Sequence, residues 1–287
     1  KLLSRMVPTV LADGSCMVSR PSGNKDYAIF GTAINFNGEQ CVAFRLRSEG
    51  FRLPVSTPGV SFYQNSERDV VRVSRHYGGG DGNLLLRAEK IAQSGLPAVI
   101  CGELGTLVGP MTGYIGMHGL LSERDCCVID CAQVGAKGWA KLLGQSGLLS
   151  FRTGTAILFE NLLDMPDSAI ENLIDFIQAS DLTGQLRLLF SLTTGVFPQR
   201  ESTVVKLICD RLYSVVFRLP PVRDRANELP QLLESCFTSV CADMGVRMPE
   251  FEKGAWELLL RYSWPRNYPQ MYRAAAQLLV DSDGGVI

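Results

Sequence analysis

The sequence lacks an excess of charge of either sign, and this absence limits the partners that it can have. Its 28 Lys and Arg residues nearly balance its 29 Asp and Glu residues, which leaves a formal net charge of −1. A protein that binds a nucleic-acid backbone directly needs a basic surface, because much of that affinity comes from neutralising phosphates. The composition therefore argues against direct nucleic-acid binding by this part of the protein.

Long apolar runs are absent too. No uninterrupted stretch approaches the roughly 18 residues that a membrane span requires, so we predict no membrane segment. The chain begins at Lys1 without a start methionine or a signal-peptide pattern. We therefore expect a piece of a longer protein that resides in the cytoplasm.

Histidine is scarce, and cysteine has no regular spacing. The chain has 2 histidines, His76 and His118, and 9 cysteines, an odd number without paired C-x-x-C units. Cys126, Cys127 and Cys131 lie close together in the sequence, but successive residues of a strand point to opposite faces. We therefore predict buried apolar thiols in a reducing compartment and no metal site.

What is present is an alternation of short apolar segments with amphipathic ones after residue 82. The predicted strands are Ala98 to Cys101, Cys126 to Asp130, Ala156 to Phe159, Leu186 to Leu192 and Tyr213 to Arg218. One predicted helix begins at Asp81 or Asn83 and ends near Gln93, and another follows Met165 and buries Ile170, Leu173, Ile174 and Ile177. This alternation predicts an α/β fold with a mainly parallel sheet and helices on both faces.

The residues before this pattern are predicted to be rich in β-structure. Tyr27 to Phe36 and Gln40 to Leu46 are predicted strands, and Asn37-Gly38 between them is a strong hairpin-turn signal because both turn positions favour positive φ. The segment from Phe51 to Asn65 shows no regular pattern. The glycines between His76 and Gly82 predict a linker.

The last part of the chain predicts helices only. They are Glu228 to Met244, Phe251 to Tyr262 and Asn267 to Val280. We therefore expect three parts: a β-rich segment at residues 1–76, an α/β core at 77–219 and a small helical domain at 220–287.

The segment that follows the first buried strand reads G-E-L-G-T-L-V-G. A phosphate-binding loop reads G-x-x-x-x-G-K-[ST], in which backbone N–H groups surround the phosphates and the lysine contacts the outer two. Here Leu107 stands at the second glycine, Val108 at the lysine and Gly109 at the residue that helps to hold magnesium. The candidate site consists of Gly102, Glu103, Leu104, Gly105, Thr106, Leu107, Val108 and Gly109. These residues either still surround an anion or only keep the shape of a strand-to-helix turn.

Three further motifs follow one another near the end of the chain. They are R-L-P-P-V-R-D-R (Arg218 to Arg225), E-L-P-Q-L (Glu228 to Leu232) and L-L-L-R-Y-S-W-P-R-N (Leu258 to Asn267). Together with the loop and with G-T-A-I-L-F-E-N-L-L-D-M-P (Gly154 to Pro166), they resemble the AAA+ domain of bacterial sigma-54-dependent transcriptional activators. The corresponding motifs of that family are, in the same order, R-L-P-P-L-R-E-R, D-I-P-x-L, L-x-x-Y-x-W-P-G-N, G-E-S-G-T-G-K-E and G-G-T-L-F-L-D-E-I-G-E-M-P. The resemblance covers about residues 83 to 280 and implies a P-loop-type core with a helical lid.

The resemblance also implies which residues would act on ATP. The Asp-Glu pair that holds magnesium and polarises water falls on Glu160 and Asn161, and the sensing asparagine falls on Thr193. The second of two arginine fingers is kept as Arg211. An asparagine side chain cannot take a proton from water, so these four positions form a vestigial catalytic set.

Other parts of the family's machinery have no counterpart in this chain. The first arginine finger falls on Val205, and the sensor arginine that follows W-P-G-N-V falls on Pro269. The family's G-A-F-T-G-A loop, which contacts the polymerase, should lie between Cys131 and Gly154, where no such sequence occurs. Because each lost group is worth orders of magnitude in phosphoryl transfer, we predict negligible ATP turnover.

Two groups of side chains allow a binding and a structural interpretation. Arg218, Arg223 and Arg225 form either a phosphate patch or ion pairs with Asp210, Asp224 or Glu228, and we favour the ion pairs. Trp256, Tyr262 and Trp264 form either a ligand cage or the core of the helical domain, and we favour the core.

The sequence thus predicts a bacterial transcriptional regulator whose AAA+ domain has become a scaffold for oligomerisation and signal relay. DNA binding would belong to a further C-terminal domain, and sigma-54 contact is not expected. The β-rich segment resembles the closing strands of a PAS sensor, and the other interpretation is a β extension packed on the core. Two alternatives stay open: a small-ligand sensing module, and a domain that binds ATP with magnesium without hydrolysing it.

Overall fold

The computed structural model describes most of the chain. The described residues are 15–22, 25–36, 39–48, 57–63, 73–77, 83–118, 126–144, 147–150, 156–194, 198–282 and 285–287. Among these residues, no helix is long and apolar enough to cross a membrane.

The first three strands form an antiparallel sheet of their own. They are β1 (Ser15–Ser22), β2 (Lys25–Phe36) and β3 (Glu39–Ser48), in the order β1-β2-β3. Phe36 pairs with Glu39, which leaves a two-residue connection between β2 and β3. The predicted hairpin is therefore confirmed, although its turn residues, Asn37 and Gly38, lie outside the described residues.

The second sheet has six strands and is mainly parallel, as predicted. The strands are β4 (Val60–Tyr63), β5 (Ala98–Glu103), β6 (Cys126–Asp130), β7 (Ala156–Glu160), β8 (Arg187–Thr194) and β9 (Val215–Leu219). Their order is β4-β6-β7-β8-β5-β9, and β4 alone runs antiparallel, against β6. Because helices cover both faces, these strands are continuous apolar runs rather than alternating ones.

Two parts of the sequence prediction are wrong. β4 lies within the segment that was expected to be irregular, and it pairs with β6 from Val60 opposite Ile129 to Tyr63 opposite Cys126. Its four residues are too short to show a pattern, and its pairing partner is far away in the sequence. The predicted linker is also partly helical, because residues 73–77 form a helical turn in which Val73 and Tyr77 are buried. Residues 78–82 lie outside the described residues.

Helices pack on both faces of the large sheet. They are α1 (Asn83–Ser94), α2 (Val108–Met117), α3 (Ala136–Leu142), α4 (Asp167–Ala179) and α5 (Pro198–Leu212). One buried cluster contains α1, α2 and the C-terminal helices, and the other contains α4 and α5. Cys126 belongs to the first cluster and Cys127 to the second, which confirms that they point to opposite faces.

The C-terminal part consists of helices, as predicted, and we call it the lid. It contains α6 (Leu229–Met244), α7 (Lys253–Arg261) and α8 (Asn267–Asp281). Gly245 ends α6 with a φ of 68°, the left-handed conformation that glycine adopts readily. The lid shares a buried cluster with one face of the sheet, so the lid and the sheet have a common core.

Candidate functional site

The loop resembling a phosphate-binding loop occupies the position where open α/β sheets bind ligands. Gly102 and Glu103 are the last residues of β5, residues 104–107 form the turn, and α2 begins at Val108. β5 lies between β8 and β9, and the turn leaves its carboxyl end. Ligands in open parallel sheets bind outside the carboxyl ends of the strands, and the loop lies at such an end.

The turn has two residues in the left-handed conformation. Gly105 has a φ of 88° and Leu107 a φ of 61°. A side chain on Gly105 would also meet the lid, because a Cβ atom there would lie 2.5 Å from the carbonyl oxygen of Arg266. Glycine is therefore required at this position both by the backbone and by the close approach of the lid.

The polar groups of the turn are largely used within the protein. The N–H of Leu104 donates to the carbonyl of Thr194 at 3.2 Å, and the N–H of Thr106 donates to the carbonyl of Glu103 at 3.0 Å. The hydroxyl of Thr106 donates to the same Glu103 carbonyl at 2.7 Å. The Tyr77 hydroxyl donates to the Thr106 carbonyl at 2.6 Å. These bonds stabilise the shape of the turn.

The residue at the lysine position belongs to the apolar core. Val108 is 4% exposed and lies in the buried cluster that also contains the lid. α2 has no side-chain cap at its N-terminus, and its third residue, Pro110, has no N–H to donate. No cation from this position is available to meet phosphate oxygens.

A carboxylate lies close to the first turn of α2. A Cβ atom added to Gly109 would lie 3.5 Å from Oε1 of Glu160, at the end of β7. A carboxylate near a helix N-terminus is favoured by the helix dipole. Glu160 therefore brings negative charge to the place where a phosphate-binding loop would receive its anion.

The residue next to Glu160 cannot act as a base. Asn161 has a φ of 54°, and its side-chain amide donates to Oδ1 of Asp130 at 2.9 Å. Thr193, at the position of the sensing asparagine, is exposed and lies opposite Gly102 in the pairing of β8 with β5. The structure therefore brings Glu160, Asn161 and Thr193 to the carboxyl ends of the strands, where the loop also lies.

Arg211 lies near the amino-terminal ends of the strands, opposite to the loop. It is in the last turn of α5, just before β9, whose first residue, Val215, pairs with Ala98 at the start of β5. Its guanidinium donates to Oε1 of Gln178 at 3.2 Å and lies 3.6 Å from Oδ1 of Asp175. Within one chain it cannot contact the loop. Val205, at the other finger position, is buried and 7% exposed.

Arg218 near the end of β9, and Arg223 and Arg225 after it, all form ion pairs. Arg225 pairs with Glu228, as predicted, but Arg218 pairs with Glu201 at 2.9 Å. Arg223 donates two hydrogen bonds to the carboxylate of Glu103, one of them at 2.7 Å.

The Arg223–Glu103 pair lies within the loop motif itself. The hydrogen bonds from Arg223 are the main reason why the pKa of Glu103 falls below its usual value. Glu103 is thus held ionised by the protein and faces a cation of its own chain.

The lid contacts the loop through the start of α8. The side-chain amide of Asn267 donates to the Leu104 carbonyl at 2.9 Å, and its oxygen accepts the N–H of Val222 at 2.9 Å. Pro269, at the position of the sensor arginine, would lie 2.9 Å from a Cβ atom on Gly105. The position thus reaches the loop, but proline cannot supply a charge or a hydrogen-bond donor.

Of the three lid aromatics, two agree with the prediction of a core. Trp264 is 3% exposed and donates from its indole N–H to the Leu259 carbonyl at 3.1 Å, and Trp256 packs on Phe251 with ring centroids 5.0 Å apart. Tyr262 differs, because it is 49% exposed.

Three residues near the loop, Tyr77, Asn267 and Tyr268, were not identified from the sequence as parts of the site, and neither was the cation–π contact of Arg225. The neighbouring glycines predict a linker at Tyr77. Tyr268 follows the W-P-R-N motif, where the family has valine, and this difference was the available signal. The guanidinium of Arg225 lies 4.8 Å from the ring centroid of Tyr77.

Comparison with known proteins yields relatives among bacterial regulators, although no family model matches the chain. It is 26% identical over 208 residues to the transcriptional regulatory protein y4pA of Sinorhizobium fredii, which covers 64% of this chain and 33% of that protein. It is 21% identical over 220 residues to the HTH-type transcriptional regulatory protein TyrR of Enterobacter agglomerans, which covers 67% of this chain and 42% of that protein. The chain thus spans well under half the length of these relatives.

A shorter match and two solved structures agree with this result. Over 68 residues, 14% of that protein, the chain is 32% identical to the DNA-binding transcriptional regulator NtrC of Azospirillum brasilense. The structure of NtrX from Brucella abortus in complex with ADP has a TM-score of 0.57 at 16% identity, covering 76% of this chain and 56% of that one. The ATP complex of NtrX has a TM-score of 0.55 at 17% identity, covering 70% and 48%. The chain is therefore a relative of the sigma-54-type bacterial transcriptional regulators and has the fold of their AAA+ domain.

Proposed function

We propose that this chain is the AAA+ region of a bacterial transcriptional regulator that no longer hydrolyses ATP and works as a scaffold for oligomerisation and signal relay. The observation that carries the proposal is the burial of Val108 in the common core of sheet and lid, at the position where the family has lysine. An apolar side chain that packs the core supplies no cation to the outer phosphates of a triphosphate.

The other catalytic positions support the same proposal. Asn161 donates a hydrogen bond to Asp130 and has no basic group, so it cannot activate water. Pro269 carries no charge to the loop. In phosphoryl transfer the protein contributes mainly position and positive charge, and each such group is worth orders of magnitude in rate. With the lysine, the base and the sensor arginine changed together, ATP turnover should not exceed the uncatalysed background.

We assign the three-stranded sheet at residues 15–48 to a PAS-like segment and residues 57–219, which include β4 of the large sheet, to the core. Residues 220–287 form the lid, and the whole would act as a cytoplasmic homo-oligomer. Between residues 131 and 154, the described part holds α3 and a 3₁₀ turn at Leu148–Ser150, which supports the loss of the polymerase-contacting loop. DNA contact is assigned to another part of the full-length protein, since relatives are named for it and this chain lacks a basic excess.

A second candidate is nucleotide binding without hydrolysis. It is favoured by the shape of the turn, which still leads from the carboxyl end of β5 into α2 between β8 and β9. Isothermal titration of ATP with magnesium separates the two candidates. A scaffold without nucleotide gives only heats of dilution, whereas the second candidate gives a saturable binding curve.

Phosphate release from ATP tests the leading proposal. We expect the wild-type chain and the variants Glu160→Gln and Arg211→Ala to release phosphate at the same rate as the buffer. Release by the wild-type chain that falls in either variant would show a working site, because both residues would then contribute to turnover. Val205→Ala serves as a control substitution at a position that cannot act chemically.

A further inference from the structure

We propose that four side chains of this chain clasp the lid onto the loop, so that core and lid open together. The clasp consists of Tyr77, Arg225, Asn267 and Tyr268. It joins four separate parts of the fold: the helical turn at 73–77, the turn at 104–107, the segment after β9 and the start of α8. The inference concerns the movement of the lid and does not depend on whether ATP is hydrolysed.

Tyr77 fixes the helical turn at 73–77 to the loop. Its side chain is 1% exposed, and its hydroxyl donates to the carbonyl of Thr106 at 2.6 Å. Its ring meets the ring of Tyr268 edge-on, with centroids 6.0 Å apart, and His76 contacts the same ring at 4.3 Å. The aromatic side chains thus fill the space between the loop and α8.

Arg225 is the buried cation of the clasp. It is 4% exposed, its guanidinium lies over the ring of Tyr77 at 4.8 Å, and it donates hydrogen bonds to the Tyr268 hydroxyl and to the Glu228 carboxylate. A buried guanidinium is costly when its partners are removed, because its remaining charge stays out of water. Opening the lid would separate Arg225 and Tyr268 from the ring of Tyr77, so the clasp resists partial opening.

Asn267 connects the three backbone segments of the clasp with one amide. It is fully buried, its nitrogen donates to the Leu104 carbonyl at 2.9 Å, and its oxygen accepts the Val222 N–H at 2.9 Å. Its φ of 52° is a conformation that asparagine tolerates better than most residues. Both ends of the side chain are therefore used, and any lid movement breaks at least one of these bonds.

The packing around these bonds is continuous. The buried cluster includes Leu107 and Val108 from the loop side and Leu232, Tyr268 and Met271 from the lid. Gly105 lies so close to the carbonyl of Arg266 that a methyl group would not fit between them. A hinge that closes on a ligand needs two surfaces that can be wetted, whereas here the two surfaces form one core. Because of this packing, we expect that nucleotide does not move the lid relative to the core.

Hydrogen exchange of the whole 287-residue chain, read by mass spectrometry, tests the clasp. We expect peptides from α2 and from α8 to exchange at the same rate as peptides from β5 and β8, because they open together. Addition of ADP or of ATP with magnesium should leave these rates unchanged. Faster exchange of α8 than of the sheet, or a slowing of α8 exchange by nucleotide, would overturn the proposal.

Variants give a second test. Asn267→Gly removes both amide bonds but tolerates the positive φ, and Tyr268→Phe keeps the ring but removes the partner of Arg225. Each should speed exchange in α2 and α8 together by about tenfold, as the loss of one or two buried hydrogen bonds implies. An increase confined to α8 would contradict the proposal.

Milder and control substitutions keep the test decisive if those variants fail to fold. Tyr77→Phe removes one hydroxyl and should also speed exchange on both sides of the clasp. Tyr213→Phe, at a side chain that is 84% exposed, should change neither side. Equal effects of Tyr77→Phe and Tyr213→Phe would count against the clasp.

Discussion

Val108→Lys restores the residue that a phosphate-binding loop requires, and we expect it to harm the protein without restoring activity. In this structure the position is 4% exposed and packs in the common core of sheet and lid. A lysine there must either lose its hydration or push the loop and the lid apart. Both outcomes cost free energy of folding.

The size of the effect follows from the cost of burying an ammonium group. Mutational data for buried polar and charged groups, and the pKa shifts of buried lysines, suggest a loss of about 2–5 kcal/mol. For a domain of roughly 150–250 residues, each kcal/mol lowers the thermal midpoint by about 2–4 °C. Val108→Lys should therefore melt about 4–20 °C below the wild-type chain.

Val108→Met is the matched control, because it adds length without charge. Overpacking of this kind typically costs about 1–3 kcal/mol, and the flexible thioether favours the lower end because it adapts to irregular space. Thermal unfolding followed by circular dichroism compares the three chains, and phosphate release is measured on each. A Val108→Lys chain as stable as wild type that hydrolyses ATP would refute the reasoning, because the lysine would then reach a functional site.

Three further predictions concern the loop and its contacts. Because Arg223 lowers the pKa of Glu103, this pair contributes stability above the unfolded carboxyl pKa of about 4.3, and that stability is lost as pH falls through the lower folded pKa. Glu103→Gln should therefore reduce the free energy of unfolding at pH 7 by no more than about 1 kcal/mol and should have a smaller effect near pH 3. Urea titrations at both pH values measure the difference, and Glu257→Gln on α7 is the exposed control. Gly105→Ala should destabilise the folded chain by more than about 2 kcal/mol, because it places an alanine in the left-handed conformation and creates a clash with Arg266. The control is Gly254→Ala, whose new Cβ meets nothing within 4 Å, and it should be neutral or stabilising. Equal urea midpoints for the two variants would contradict the close approach of the lid. Asn161→Asp replaces a hydrogen bond to Asp130 with two like charges, so it should lower the free energy of unfolding by about 1 kcal/mol. Phosphate release should stay at background. A rise in phosphate release would show that the site lacked only the carboxylate.

The strands and helices of the core could largely be predicted from the sequence. β6 and the apolar face of α4 were identified because strands covered on both faces are continuous apolar runs and helices have a regular apolar spacing. β4 was missed because its four residues carry no such signal, and its position depends on pairing with β6. Tyr77 was missed because adjacent glycines predicted a linker, whereas its burial depends on the distant Tyr268.

The motifs located the candidate site, but they did not show its contacts. The sequence placed the loop correctly between a strand and a helix and showed that its lysine was changed. It could not show that Arg223 meets Glu103, 120 positions away, or that Asn267 meets Leu104, 163 positions away. Such contacts depend on how the lid docks, and no local pattern records that. They explain why the position of Val108 is a packed core rather than an empty cleft.

Single-turnover hydrolysis, with the 287-residue chain in excess over radiolabelled ATP and magnesium, is the most direct test of the central claim. Excess protein favours both assembly and binding, so even a slow reaction would be detected. We predict a hydrolysis rate equal to that of the buffer and unchanged by Glu160→Gln. Cleavage faster than the buffer that Glu160→Gln abolishes would contradict it.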